Sequence, residues 1–183
     1  MACLASASRG KSCKDSVGGL RNIYFSNYTD AAWDPIYDVT NTDVLETIGN
    51  GATPDLNIFK YELNGVSNFE QSIVASRDNG TVYFEGTLSI QLAKLTLEDH
   101  KEIAILVQGN PRIIVEDQNA NFFLVGLVNG CDADVGTITT GTNMGDLSGY
   151  SLVFKSMEKS PANFLEATTE AGLITAGCII NAA

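Results

Sequence analysis

The residues that could do chemistry in this 183-residue chain are few, and their spacing limits what they can do. Two carboxylates, Glu70 and Glu85, lie on opposite sides of an Asn79-Gly80 turn and invite a glycosidase reading, in which a pair of acids flanks a glycosidic bond. With a two-residue turn they would stand well apart along an open sheet and not across a cleft. Asp132 and Asp134 invite calcium, but Gly136 comes one residue early for an EF-hand loop and no bidentate glutamate follows at the required distance. The single histidine, His100, sits at the edge of a helical stripe, where a packed or rim histidine is the simpler reading. There is no GxSxG, GxGxxG, P-loop or HExxH pattern. The four cysteines, Cys3, Cys13, Cys131 and Cys178, contain no CxxC and read as small reduced side chains; Cys3–Cys13 is the one local disulfide to consider. No catalytic residue, metal or cofactor is therefore expected, and the chain is not expected to be an enzyme.

Charge is the stronger signal. The formal net charge is −11, unevenly placed: residues 1–22 hold Arg9, Lys11, Lys14 and Arg21 against Asp15, a balance of +3 that leaves −14 on the remainder. An acidic body argues against gripping nucleic acid, because that grip is dominated by Lys and Arg neutralising phosphates. It suits solubility or repulsion of polyanions. The N-terminal residues lack the long apolar region of a secretory signal, and no run reaches the length of a membrane helix, so a cytoplasmic product with no membrane partner is expected.

The elements that must position these residues centre on residues 69–91. Asn79-Gly80 between two alternating runs predicts a hairpin with a type I′ turn, which pairs Asp78 with Thr81 and Arg77 with Val82. One face then carries Phe69, Ile73, Val82, Phe84, Leu88 and Ile90, directed at a core; the other carries Glu70, Ser72, Asp78, Thr81, Glu85, Thr87 and Ser89, wet, acidic and without a base. An ordinary solvated sheet face explains this pattern; a surface that something anionic slides past explains it too.

Ahead of the hairpin, residues 1–18 read as a basic arm that orders against a partner, and Leu20–Tyr28 as a strand. Residues 29–57 form a long loop with short pieces at Ile36–Val39 and Val44–Ile48; Trp33 lies in it as a core or interface anchor. Ile58–Leu63 is a short strand. Behind the hairpin, Thr96 and Asp99 cap a helix over 97–108 that Gly109, Asn110 and Pro111 stop, with Ile103, Leu106 and Val107 as its stripe. Arg112–Asp117 and Asn121–Val128 make a second hairpin, 129–148 a Gly/Thr/Asp-rich stretch, Gly149–Met157 a strand, and Ala171–Ile180 a last strand. About eight strands and one helix predict a mainly β domain over 19–183, an antiparallel β-sandwich or partly closed barrel.

The order of elements, with Gly145-Asp146-Leu147-Ser148-Gly149-Tyr150-Ser151-Leu152-Val153-Phe154 followed by Glu158-Lys159-Ser160-Pro161-Ala162, resembles the tail tube proteins of long-tailed bacteriophages, which are similar to the tube proteins of contractile injection systems. The resemblance covers residues 19–183 in element order and 145–161 in letters. It implies a structural virion protein of the phage tail, made in the host cytoplasm, in which six subunits form a ring and rings stack into a tube. The inner sheets join around a lumen through which DNA is ejected, with a tape measure protein as a partner and, where the tail is contractile, a sheath protein. Glu70, Ser72, Asp78, Thr81, Glu85, Thr87 and Ser89 would then face the lumen, and Arg9, Lys11, Lys14 and Trp33 would meet neighbouring subunits. Two other readings stay open: a carbohydrate-binding β-sandwich using Trp33, Tyr28 and Tyr37, and another virion protein such as a tail terminator or head-decoration subunit.

Overall fold

The computed structural model describes residues 14–49, 55–63 and 66–181. The fold is mainly β, in two sheets. The first strands are β1 (Leu20–Ser26), β2 (Ile36–Tyr37), β3 (Val44–Thr47) and β4 (Leu56–Glu62). The long hairpin follows as β5 (Asn68–Ser76) and β6 (Thr81–Ala93), then helix α1 (Leu97–Gln108) and the hairpin β7 (Arg112–Asp117) and β8 (Phe122–Val125). The chain continues through β9 (Asp132–Thr139), β10 (Gly149–Glu158), β11 (Asn163–Leu165), α2 (Glu170–Thr175) and β12 (Cys178–Asn181).

Eight strands form one sheet in the order β12-β4-β1-β7-β8-β11-β3-β2. Alternation along β1 and β7 sends side chains to both faces, and both faces are buried. Tyr24 and Ile114 point to a cluster that includes Leu45, Ile58, Phe122, Leu124 and Leu173, while Ile23, Phe25, Ile113 and Val115 point to a second cluster shared with the other sheet. The sheet curls around the first cluster until its ends meet: the N–H groups of Ile48 and Gly49, just past β3, donate to the Ala176 carbonyl at 3.0 and 3.1 Å, beside the start of β12. Helix α2, capped by the Thr169 hydroxyl, lies at that junction and contributes the buried Leu173.

The second sheet has four strands in the order β5-β6-β10-β9, every neighbour antiparallel. Its inner face supplies Leu88, Ile90, Tyr150, Leu152 and Phe154 to the shared cluster, and α1 adds Ile103.

Several expectations are corrected. The strands number twelve among the described residues, not about eight, and two pairs, β3–β11 and β4–β12, are parallel. A second helix stands where one was expected, because Thr169 caps a short turn of helix that splits the expected strand at 171–180 and leaves only β12. The 129–148 stretch contains an eight-residue strand, β9. The turn at Asn79-Gly80 is not type I′. Only Gly80 has positive φ there, at 62°, and the loop spans residues 77–80, with the Gly80 N–H on the Arg77 carbonyl and the Asn79 N–H on Ser76 Oγ. Ser76, not Asp78, pairs with Thr81, and the register slips by two residues. An even slip leaves every side chain on its expected face.

Candidate functional site

The outer face of the four-stranded sheet is the surface to which sequence assigned a task. β5 contributes Glu70 and Ser72; opposite them β6 contributes Thr87 and Glu85, followed by Thr81 at one end and Ser89 at the other. The inner-face neighbours Gly86, Leu88 and Ile90 are buried, so these six point away from the core. Asp78 does not join them: it lies in the 77–80 turn, outside the strand pairing. The slipped register also brings Glu70 and Glu85 to diagonal positions, about 7–8 Å apart at Cα, closer than the two-residue turn would hold them.

The neighbouring strands add what the hairpin alone does not show. Lys155 on β10 pairs in register with Thr87, and its ammonium lies 3.1 Å from Asp134 Oδ2 and 3.8 Å from Glu85 Oε1. The hydrogen bond that the ammonium donates to Asp134 holds the lysine proton more tightly than usual. Asp134 reaches it because β9 bulges: Val153 faces Val135 and Phe154 faces Ala133, so Asp134 is the extra residue and turns to the outer face. This face therefore carries one base, against the expectation of none, set among Glu70, Glu85, Asp132 and Asp134. It also carries Val74 beside Tyr83, Val153 beside Val135, and Met157, so it is less uniformly polar than the hairpin suggested.

Lys155 was missed because its place depends on β10 pairing with β6, a contact about seventy residues apart in the chain. The alternation Val135, Thr137, Thr139 was a readable strand signal inside the Gly/Thr/Asp-rich stretch.

The inner face departs from expectation at the hairpin tip. Phe69, Leu88 and Ile90 pack into the shared cluster, but Ile73 and Val82 are 68% and 54% exposed. β6 is roughly 43 Å long at ~3.3 Å per residue and overhangs the core. The apolar strip thus continues past the core into solvent.

The other predicted residues scatter. Arg9, Lys11, Cys3 and Cys13 lie outside the described residues; Lys14 is exposed. Val17 is clipped to the β7–β8 turn by two bonds with Asn119, at 2.9 Å each. Trp33 is half-buried against the cluster inside the curled sheet. The Arg112 guanidinium lies 4.4 Å from the Tyr28 ring centre and 4.6 Å from that of Trp33. It also donates to the carbonyls of Tyr28 and Leu127. Two of the three aromatics expected of a sugar platform therefore have a ring face taken up by a cation. His100 is exposed, with its ring 6.4 Å from that of Tyr150. Cys131 and Cys178 are buried thiols; burial pushes Cys178 up to about 12 and Cys131 higher, which leaves both unreactive. Among the described residues no three His, Cys, Asp or Glu side chains gather as a metal site, and no helix is long and apolar enough to cross a membrane.

One polar cluster is buried, inside the curled sheet. Glu116 accepts from Asn22 Nδ2 at 2.6 Å and lies 3.2 Å from the Tyr24 hydroxyl, with Arg21 at 3.6 Å. The same hydroxyl lies 3.2 Å from Glu170, which Lys60 holds at 2.7 Å. A phenol carries one proton, so Tyr24 donates to one carboxylate at a time. Burial, then the two carboxylates, push its ionisation well above the usual tyrosine range. This cluster joins α2 to the sheet.

No family model matches the chain, and no curated protein or solved structure matches it significantly.

Proposed function

We propose that the protein is a structural subunit of a phage tail tube, which polymerises as stacked hexameric rings around a channel for DNA. The observation that carries this reading is the four-stranded sheet. It ends in two long edges, β5 with nine residues and β9 with eight, that have no partner strand among the described residues, and its outer face is wet and acidic. Long open edges invite uncontrolled pairing, and closing them between copies removes that hazard. In this reading the sheet joins its neighbours into a barrel wall, with its inner core and α1 on the outside of the tube. Glu70, Ser72, Thr81, Glu85, Thr87 and Ser89 line the lumen. Four carboxylates against Lys155 repel phosphates, and Lys155, held between Glu85 and Asp134, is kept from trapping DNA. The basic arm bridges to an adjoining ring, and a tape measure protein is a partner of the same assembly.

Negative-stain microscopy of the purified full chain tests the reading. Hollow tubes or six-fold rings are the expected result; particles that stay monomeric at every concentration overturn it. A chain lacking residues 1–18 is expected to fold but not to polymerise.

A further inference from the structure

The four-stranded sheet leaves two apolar features unsatisfied, one at each edge, and they fit each other. At the β9 edge, α1 stands off the inner face and leaves a groove of about 390 Å³. Ile103, Ala104 and Val107 line it from the helix, and Gly136, Ile138 and Leu152 from the sheet. Ile138 is 54% exposed there, and Ile103 is the only buried residue of α1. At the opposite edge, Ile73 of β5 projects from the same inner face, 68% exposed.

We infer that Ile73 of one copy fills the groove between α1 and β9 of the next copy, by antiparallel pairing of β5 with β9. Three observations carry this. First, direction: successive antiparallel neighbours make β5 and β9 run opposite ways, so a rotation about an axis along the strands brings one edge to the other in antiparallel sense. Second, face: Ile73, Gly136 and Ile138 all point to the inner side, so edge pairing places Ile73 under α1 and not in the outer face. Third, register: with Ile73 opposite Gly136, the facing residue has no side chain of its own, and past the Asp134 bulge Ser76 comes opposite Asp132, which brings Arg77, the next residue, beside Asp132. Arg77 makes no ion pair within its own chain among the described residues. The contact is head-to-tail, so it generates a ring or a filament and never a closed two-fold dimer.

The inference deepens the tube reading and rests on it for the six-fold closure, but its test separates the two. In full chains with Cys3 and Cys13 replaced by serine, Ile73→Cys and Ile138→Cys variants are mixed and treated with a short bis-maleimide, while sedimentation and microscopy follow assembly. Crosslinking between the two variants, with neither crosslinking to itself, is the expected result. Ile73→Asp is expected to raise the concentration for assembly by more than about tenfold. Arg77→Asp is expected to raise it about two- to fivefold, with recovery when Asp132→Arg is added. Tubes without the mixed crosslink overturn this interface and leave the tube reading standing. The mixed crosslink in open filaments without tubes keeps the interface and overturns the tube. Ile73→Cys crosslinking to itself alone identifies a two-fold β5–β5 contact and overturns the inference.

Discussion

The two sheets solve the same problem in opposite ways. The eight-stranded sheet finishes itself: it curls until Ile48 and Gly49 reach Ala176, and α2 fills the junction. Its inner cluster is sealed, with Leu45, Ile48, Leu56, Ile58 and Leu173 at 0% exposure. The four-stranded sheet stays unfinished. Its inner face is sealed over Leu88, Ile90, Tyr150, Leu152 and Phe154, and apolar surface continues bare to Ile73 and Val82 at the hairpin tip and to Ile138 at the β9 edge. The strands differ accordingly: β1, β7 and β8 are buried on both faces, whereas β5, β6 and β9 keep one face in water. One sheet closes within the subunit, and the other keeps two open edges among the described residues.

Substitution in the closed sheet should therefore cost the isolated subunit most. Phe122→Ala removes a fully buried ring packed 6.2 Å from that of Tyr24, and is expected to cost about 3–5 kcal/mol, read as a lower midpoint in denaturant. An effect under about 1 kcal/mol would mean that the curled sheet is not the stable half. Tyr24→Phe comes next. It keeps the ring and removes the hydroxyl between Glu116 and Glu170, which leaves Glu116, 6% exposed, with Asn22 and the distant Arg21. About 1–3 kcal/mol is expected from the same measurement.

What sequence revealed of these two regions follows the range of the interactions. The cap of α1 is local: the Thr96 hydroxyl accepts from the Asp99 N–H at 3.0 Å, three residues on, and that was readable. The two faces of the β5–β6 hairpin were readable because period-two alternation survives a slip of two, even though the turn was misassigned. Ser76 and Arg77 close a four-residue loop that the Asn-Gly pair concealed. β11 escaped because three residues paired with distant strands carry no periodicity, and α2 because a six-residue helix carries little more. The lysine of the outer face escaped for the same reason. Its meaning comes from Glu85 and Asp134, which only the sheet order brings to it.

A smaller effect should appear as pH falls. The Lys60 ammonium, hydrogen-bonded to Glu170, holds that carboxyl below its ordinary value of 4.5, with burial opposing. A lowered carboxyl stabilises the fold above the unfolded value and loses that contribution as pH falls through the folded one. Stability should therefore decline below about pH 4.5, and Glu170→Gln should flatten that part of the curve. The side chain is 46% exposed, so the difference at neutral pH should stay under about 1 kcal/mol. An unchanged slope in the variant would assign the acid sensitivity elsewhere, with Asp117 the next candidate. Burial raises its pKa, but hydrogen bonds from Asn121 and Asn119 outweigh this and hold it low.

The smallest expected effect on the subunit is the sharpest test of the comparison. Ile73→Ser shortens a side chain that is already 68% exposed, so denaturation of the isolated subunit should shift by no more than about 0.5 kcal/mol. If the four-stranded sheet is completed from outside, the same substitution should still weaken whatever assembly forms, because the isoleucine is bare only while the chain is alone. A large loss of subunit stability would show instead that the overhanging strip folds back onto its own core and that the sheet is already finished. Measuring one substitution in both states isolates the property that separates the two sheets: whether a buried contact lies within the chain or between chains.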